Sequence, residues 1–203
     1  MDRQSDIVFL TETWLQSDNN SITAEAKTYG YKFLHDRRKD REKEGGGGVG
    51  ILVKDSLSAK QLPVKHYKSF EQTIVKITLS HNKTLFLITV YRLQYVETST
   101  FIDEFTDLLN EYSVTNENLV IAGDVNIHME TASRYAKQLK ELLDVYNLKQ
   151  HVSESTHVKG HTIDVVITPD REPYLEHLNV TQLDLSHHFL IDFTIPAEPN
   201  NAS

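Results

Sequence analysis

The sequence predicts an α/β fold in which two β-sheets pack face to face, with helices outside them. Three observations point there: eight short apolar runs of strand length, two segments with apolar residues at helical spacing, and an order that alternates the two kinds along 203 residues. Strands are expected at Ile7–Thr11, Val49–Lys54, Thr73–Ser80, Leu85–Tyr91, Leu119–Gly123, Thr162–Thr168, Glu176–Thr181 and Phe189–Ile195. Most are rich in β-branched and aromatic side chains, which fit a pleated, half-buried surface. His81–Asn82–Lys83 has the length of a hairpin turn between two of them.

Helices are expected over Thr100–Tyr112, with Phe101, Phe105, Leu108, Leu109 and Tyr112 on one stripe, and over Ala132–Tyr146, with Ala136, Leu139, Leu142, Leu143 and Tyr146 on another. Such stripes are core faces rather than cofactor boxes. Ser99 is placed to cap the first of these helices, and Asp103 falls in its opening turn. A further, short helix is expected around Ala24–Tyr29.

Composition bounds the organisation. The length suits one domain over residues 1–203, since no Pro, Gly or Ser-rich linker divides it, and residues 196–203 read as a flexible tail. There is no cysteine, hence no disulfide framework or Cys-ligated zinc. No apolar run reaches membrane-spanning length, and an intracellular protein without membrane partners is expected. The net charge of −8 argues against tight, sequence-independent attraction to DNA, because that attraction depends on Lys and Arg displacing counterions. The charge-dense stretch His35–Glu44, containing Arg37 and Arg38, reads first as a solvated loop and second as a phosphate-contacting arm. Lys65, His66 and Lys68 make a smaller basic group.

The richest stretch is Leu119–Val120–Ile121–Ala122–Gly123–Asp124–Val125–Asn126–Ile127–His128. An apolar run leads directly into Gly-Asp-x-Asn, so a strand end delivers a carboxylate and a carboxamide that suit phosphate chemistry. Extended geometry past the glycine would put Asp124 and Asn126 on one side. A turn that merely caps a strand uses the same residues, so companions elsewhere must decide. Four other strands supply them. Glu12 follows Ile7–Thr11, Tyr91 and Arg92 close Leu85–Val90, Asp164 lies inside a β-branched run, and Ser186–His187–His188 precede the last strand. An unpaired carboxylate inside an apolar strand would be costly, which marks Asp164 as partnered.

Taken in order, these segments resemble the endonuclease/exonuclease/phosphatase superfamily, and most closely the apurinic-endonuclease-like domain of LINE-type non-LTR retrotransposons. Leu10–Thr11–Glu12–Thr13–Trp14–Leu15 resembles that family's metal-glutamate motif, and Gly47–Gly48–Val49–Gly50–Ile51 its glycine-rich strand. Val90–Tyr91–Arg92 is similar to its tyrosine-arginine motif, Gly123–His128 to its central motif, and His161–Thr162–Ile163–Asp164 to the motif carrying its histidine-orienting acid. Ser186–His187–His188 falls where the family writes Ser-Asp-His.

The resemblance implies a DNase I-like sandwich and metal-dependent cleavage of DNA, a nick whose 3′-hydroxyl primes reverse transcription. It implies that Glu12 holds Mg²⁺ or Mn²⁺, that Asp124 orients or deprotonates the attacking water, and that Asn126 donates to a non-bridging oxygen. Tyr91 would sit against the same phosphate, and His188 would contact it or transfer a proton while Asp164 takes its other ring N–H. Arg92, His128, Ser186, Arg37 and Arg38 are the further phosphate or DNA contacts and His187 a further metal ligand; His161 reads by itself as a solvated turn residue. The implied partners are DNA and a downstream reverse transcriptase domain, and the implied location is nuclear.

Two departures from the family pattern bear on activity. The family places one more strand, with an asparagine, before the glutamate segment, and this chain reaches Glu12 almost at once. Absence of that strand would expose ladder groups and apolar surface unless a partner fills the slot. His187 also stands where the family has an acid, which removes an attraction for the cation. A remnant that binds without cleaving, and a phosphatase acting on inositol phosphates or lipids, are the alternatives.

Overall fold

The computed structural model describes residues 5–15, 20–36, 47–79, 83–113, 118–171, 174–184 and 186–196. Among them are eleven strands and three helices. β1 (Ile7–Thr11), α1 (Asn20–Thr28), β2 (Tyr31–Asp36), β3 (Val49–Lys54), β4 (Ser58–Gln61), β5 (Phe70–Thr78) and β6 (Thr84–Arg92) come first. They are followed by α2 (Thr98–Tyr112), β7 (Leu119–Asp124), α3 (Arg134–Val145), β8 (Leu148–Gln150), β9 (Asp164–Pro169), β10 (Glu176–Thr181) and β11 (Leu190–Thr194).

Six strands form one sheet in the order β4-β5-β6-β7-β9-β8. The β6–β7 pair is parallel and the other pairs are antiparallel. Alternation along each strand splits its side chains between two cores. Ile88, Val90, Leu119, Ile121, Val165 and Ile167 join Phe101, Phe105, Leu108 and Leu109 of α2 and Ala136, Leu139 and Leu143 of α3. Each such aromatic or leucine side chain, fully removed from water, stabilises by about 1.5–3 kcal/mol. On the other face, Leu85, Leu87 and Val120 meet Ile51 and Val53 of β3, with Ile7 and Phe9 of β1 alongside. Ala122 and Val166 meet Val180, Ile191 and Phe193 of the β10–β11 hairpin. The result is the expected sandwich: helices, six-stranded sheet, then β1-β3-β2 with the hairpin beside it.

Among the described residues, β1 pairs only with β3 and β11 only with β10. β1 is half-buried along its whole length.

Several local expectations change. Strands β4 and β8 arise in polar or very short stretches with little apolar signal, and β2, though it carries Tyr31, Phe33 and Leu34, is not among the expected strands; each pairs with a neighbouring strand. α2 begins at Thr98, so Ser99 lies inside it; Glu97 takes the N-cap position without a side-chain cap bond. The hydroxyl of Thr98 instead accepts from the Arg92 guanidinium at 2.6 Å, and Asp103 falls beyond the first turn. α3 does begin on a side-chain cap, Ser133 Oγ accepting from Ala136 N–H at 3.3 Å. β5 and β6 pair antiparallel to Thr78–Thr84, while His81 and Asn82 of the expected hairpin turn lie outside the described residues. So do Arg37, Arg38 and the tail from residue 197. No helix among the described residues is long and apolar enough to cross a membrane.

Candidate active site

The register of the large sheet places four polar side chains in one row. Glu71 pairs with Tyr91, Tyr91 with Asp124, and Asp124 with Asp164, across β5, β6, β7 and β9. Strand alternation turns this row to the face that packs on the second sheet, because Leu87, Val120 and Val166 of the same parity face that way. Adjacent strands lie about 4.8 Å apart, so Tyr91, Asp124 and Asp164 stand side by side, close enough to meet one small ligand, with Glu71 farther along the row.

Gly123 makes the row possible. Its φ is +145°, and a Cβ there would stand 2.0 Å from the Val90 carbonyl oxygen, so a glycine is required for β7 to approach β6 just before Asp124.

Glu12 enters from β1. It sits at φ +51°, in the left-handed region that costs a non-glycine residue about 1–2 kcal/mol. The turn brings its carboxylate to Tyr91, whose Oη donates to Glu12 Oε1 at 2.6 Å. Burial first, and this carboxylate second, push the Tyr91 phenol well above its ordinary range. The phenol therefore stays protonated and serves as a donor.

Asp124 is 2% exposed. Burial raises its carboxyl to about 7, and the nearby Asp164 adds to that, against lowering by the Asn126 N–H and by His188. Asn126 does not continue the strand as expected. It turns to φ +48°, and its backbone N–H donates to Asp124 Oδ1 at 2.7 Å while its side-chain amide donates to Asp124 Oδ2 at 3.1 Å. The same amide donates to the Arg92 carbonyl at 3.0 Å and accepts from Gln94 at 2.6 Å. In this arrangement Asn126 holds Asp124 in place.

His188 completes the group. Its Nδ1 lies 3.1 and 3.0 Å from the two Asp164 carboxylate oxygens, and its Nε2 lies 3.9 Å from Asp124 Oδ2. The Asp164 hydrogen bond raises the imidazole to about 9, so Nδ1–H donates and the ring carries charge at neutral pH. The segment is held by Phe189 N–H to the Thr156 carbonyl at 2.8 Å and by Val158 N–H to the His187 carbonyl at 2.9 Å.

Other expected residues lie differently. Arg92 is buried and donates to the Asn126 carbonyl, the Val96 carbonyl and Thr98. Its guanidinium is a strut between β6 and two loops, not a fork facing solvent. Ser186 Oγ accepts from His188 N–H at 3.0 Å, shaping that loop. His187 is exposed, its ring 6.1 Å from that of His157, and it is not in the Asp124–Asp164–His188 group. His128 and His161 stack on each other, with Glu130 between their ring nitrogens. Lys65 pairs with Asp107 of α2, and the Lys68 backbone N–H donates to Glu104. Sequence reasoning missed Glu71, Thr156, His157 and Glu130. Only the register opposite Tyr91 could have marked Glu71, and the others lie in loops without a periodic signal.

The oxygen donors Glu12, Asp124 and Asp164 suit a hard divalent cation. Asp164 and Glu12 add their negative charge to the rise that burial causes at Asp124, and a divalent cation would offset that charge.

Fold comparison agrees with the architecture. The endonuclease domain of TRAS1, a telomere-specific non-LTR retrotransposon, superposes with TM-score 0.69 at 15% identity, covering 94% of this chain and 85% of that one. The human Nocturnin catalytic domain with bound sulfate anion gives 0.62 at 14% identity, covering 94% and 81%. TDP2 from D. rerio, complexed with single-strand DNA product, gives 0.61 at 16% identity, covering 91% and 83%. No curated protein sequence matches the chain. Residues 2–188 match the Endonuclease/Exonuclease/phosphatase family, spanning every site residue described above, and the chain belongs to that family.

Proposed function

We propose that this protein is a divalent-metal-dependent phosphodiesterase that nicks DNA, with Glu12, Tyr91, Asp124, Asn126, Asp164 and His188 as its working residues. The observation that carries the reading is the row Tyr91–Asp124–Asp164 closed by His188, with Glu12 hydrogen-bonded to the phenol. A divalent ion such as Mg²⁺ or Mn²⁺, held by Glu12 with Asp124 or Asp164, would neutralise charge on the phosphoryl oxygens.

Asp124, near neutrality in its proton affinity, accepts a proton from the attacking water. His188, kept cationic by Asp164, presents Nε2–H to a phosphate oxygen and favours the charge that accumulates in the transition state. Asn126 fixes the Asp124 carboxylate, and Tyr91 fixes Glu12. DNA as substrate draws support from the retrotransposon domain and the DNA-bound TDP2 among the fold relatives. A downstream reverse transcriptase and a nuclear location belong to the same reading.

The test is nicking of supercoiled plasmid in Mg²⁺ and in Mn²⁺. The wild type nicks, and Asp124→Ala and His188→Ala each lose about 10²–10⁴-fold. Wild-type activity no higher than that of the variant combining Asp124→Ala with His188→Ala would overturn the reading. Phosphate release from inositol polyphosphates in its place would make the protein a phosphatase, and DNA binding without any hydrolysis would make it a binding remnant.

A further inference from the structure

A second group of ligating side chains lies outside the acidic row, where the loop after β7 meets the loop before β9. Glu130 Oε1 is 3.1 Å from His161 Nδ1 and 3.6 Å from His128 Nδ1, and the two rings stack with centroids 3.9 Å apart. One ligand atom from each residue falls within 4.8 Å of the others. We propose that His128, Glu130 and His161 form a site for a borderline d-block cation such as Zn²⁺, separate from the oxygen-donor site of Glu12, Asp124 and Asp164.

The spacing fits the ion. Bonds of about 2.0–2.1 Å in a tetrahedral shell put neighbouring ligand atoms roughly 3.3–3.4 Å apart, and the two Glu–His separations bracket that value. Two imidazoles and one carboxylate are also a ligand set that leaves the fourth position open to water or an anion. Mg²⁺ prefers oxygen donors in octahedral geometry, so the two sites select different metals. Without a cation, the Glu130 oxygen makes one hydrogen bond with His161, while His128 sits beyond hydrogen-bond length. A cation between them satisfies all three groups once the stacked rings rotate to turn their Nδ1 lone pairs toward it.

The frame is already set. Val125 N–H donates to the Ile163 carbonyl at 3.0 Å and Met129 N–H to the Thr162 carbonyl at 2.9 Å, which ties the two loops together. Thr131 Oγ1 donates to the His128 carbonyl at 2.8 Å, and Lys140 Nζ to the Met129 carbonyl at 3.1 Å. The other Glu130 oxygen accepts Thr162 N–H at 3.0 Å, which aims Oε1 at the rings. All three side chains are between 29% and 48% exposed, so an ion can enter without unfolding. His157 is the next ring along, 6.5 Å from His161, and its Nδ1 already accepts the Lys159 N–H.

The experiment is titration of the whole chain with Co²⁺, a spectroscopic substitute for Zn²⁺, at neutral pH and in excess Mg²⁺ to fill the oxygen site. One equivalent is expected to bind with the visible absorption of a four-coordinate ion, and Zn²⁺ should displace it. His128→Ala and His161→Ala should each weaken binding roughly tenfold or more, while the metal-free melting temperature stays unchanged. Asp124→Asn should leave the spectrum intact. The proposal is overturned if both histidine variants bind Co²⁺ like the wild type, if Asp124→Asn removes the signal, or if nothing saturates below millimolar Co²⁺. None of these readouts requires DNA cleavage, so they stand apart from the fate of the nuclease reading.

Discussion

Asp164→Asn is the sharpest perturbation of the active site, because it changes charge at nearly constant shape. The Asp164 hydrogen bond is the largest cause holding His188 at about 9, against the ordinary 6.5. That difference corresponds to roughly 3 kcal/mol of preference for the charged ring, an upper figure for a side chain that keeps 27% exposure. An asparagine at the same position can still accept one Nδ1–H bond, yet it offers no negative charge. Burial then acts against the cation, with Asp124 at 3.9 Å and Glu12 beyond it as the remaining support. His188 is expected to fall from about 9 back toward its ordinary 6.5. Its folded value lies above the unfolded one, so the stability that it contributes is fully present below 6.5 and disappears as pH rises through about 9. In Asp164→Asn that loss across the alkaline window should vanish. Imidazole NMR titration of the metal-free protein measures this directly, with His188→Gln identifying the signal among ten histidines. A wild-type His188 titrating at or below 6.5, or one unmoved by Asp164→Asn, would refute the reasoning.

Three further outcomes are expected. Asp124→Asn should abolish nicking and remove the loss of metal-free stability that the carboxyl causes as pH rises from its unfolded 3.8 to its folded value of about 7; a melting-temperature difference between variant and wild type that stays constant across that window would contradict the electrostatic account. Gly123→Ala should destabilise by about 3 kcal/mol or more in urea unfolding, because its Cβ cannot share space with the Val90 carbonyl, and a loss under 1 kcal/mol would show that β6 and β7 tolerate separation. Emission from Trp14, 64% exposed and two residues beyond Glu12, should change saturably on Mg²⁺ or Mn²⁺ addition, and Glu12→Gln should remove the change.

Glu12, Asp124 and His188 were legible because each ends or begins an apolar run, and Asp164 because it interrupts one; such runs carry a clear strand signal. Their roles were less so. Asn126 and Arg92 read as phosphate ligands by residue type, whereas the fold uses the amide to hold Asp124 and buries the guanidinium among carbonyls. Ser99 had the chemistry of a cap, but Arg92 recruits Thr98 and the helix starts earlier. Chain-local patterns cannot report such exchanges of hydrogen-bond partners.

By itself, the order of residues determined the α/β class, the two helical stripes, most strands and the identity of the chemical groups. These follow from periodicity and from where polar residues interrupt apolar runs, which are properties of neighbours along the chain. Tertiary structure decided the register that sets Glu71, Tyr91, Asp124 and Asp164 side by side, the turn that brings Glu12 to Tyr91, and the meeting of His128 with His161. Those contacts join segments far apart in sequence, and their free energy exists only once the sheets and loops that carry them have packed.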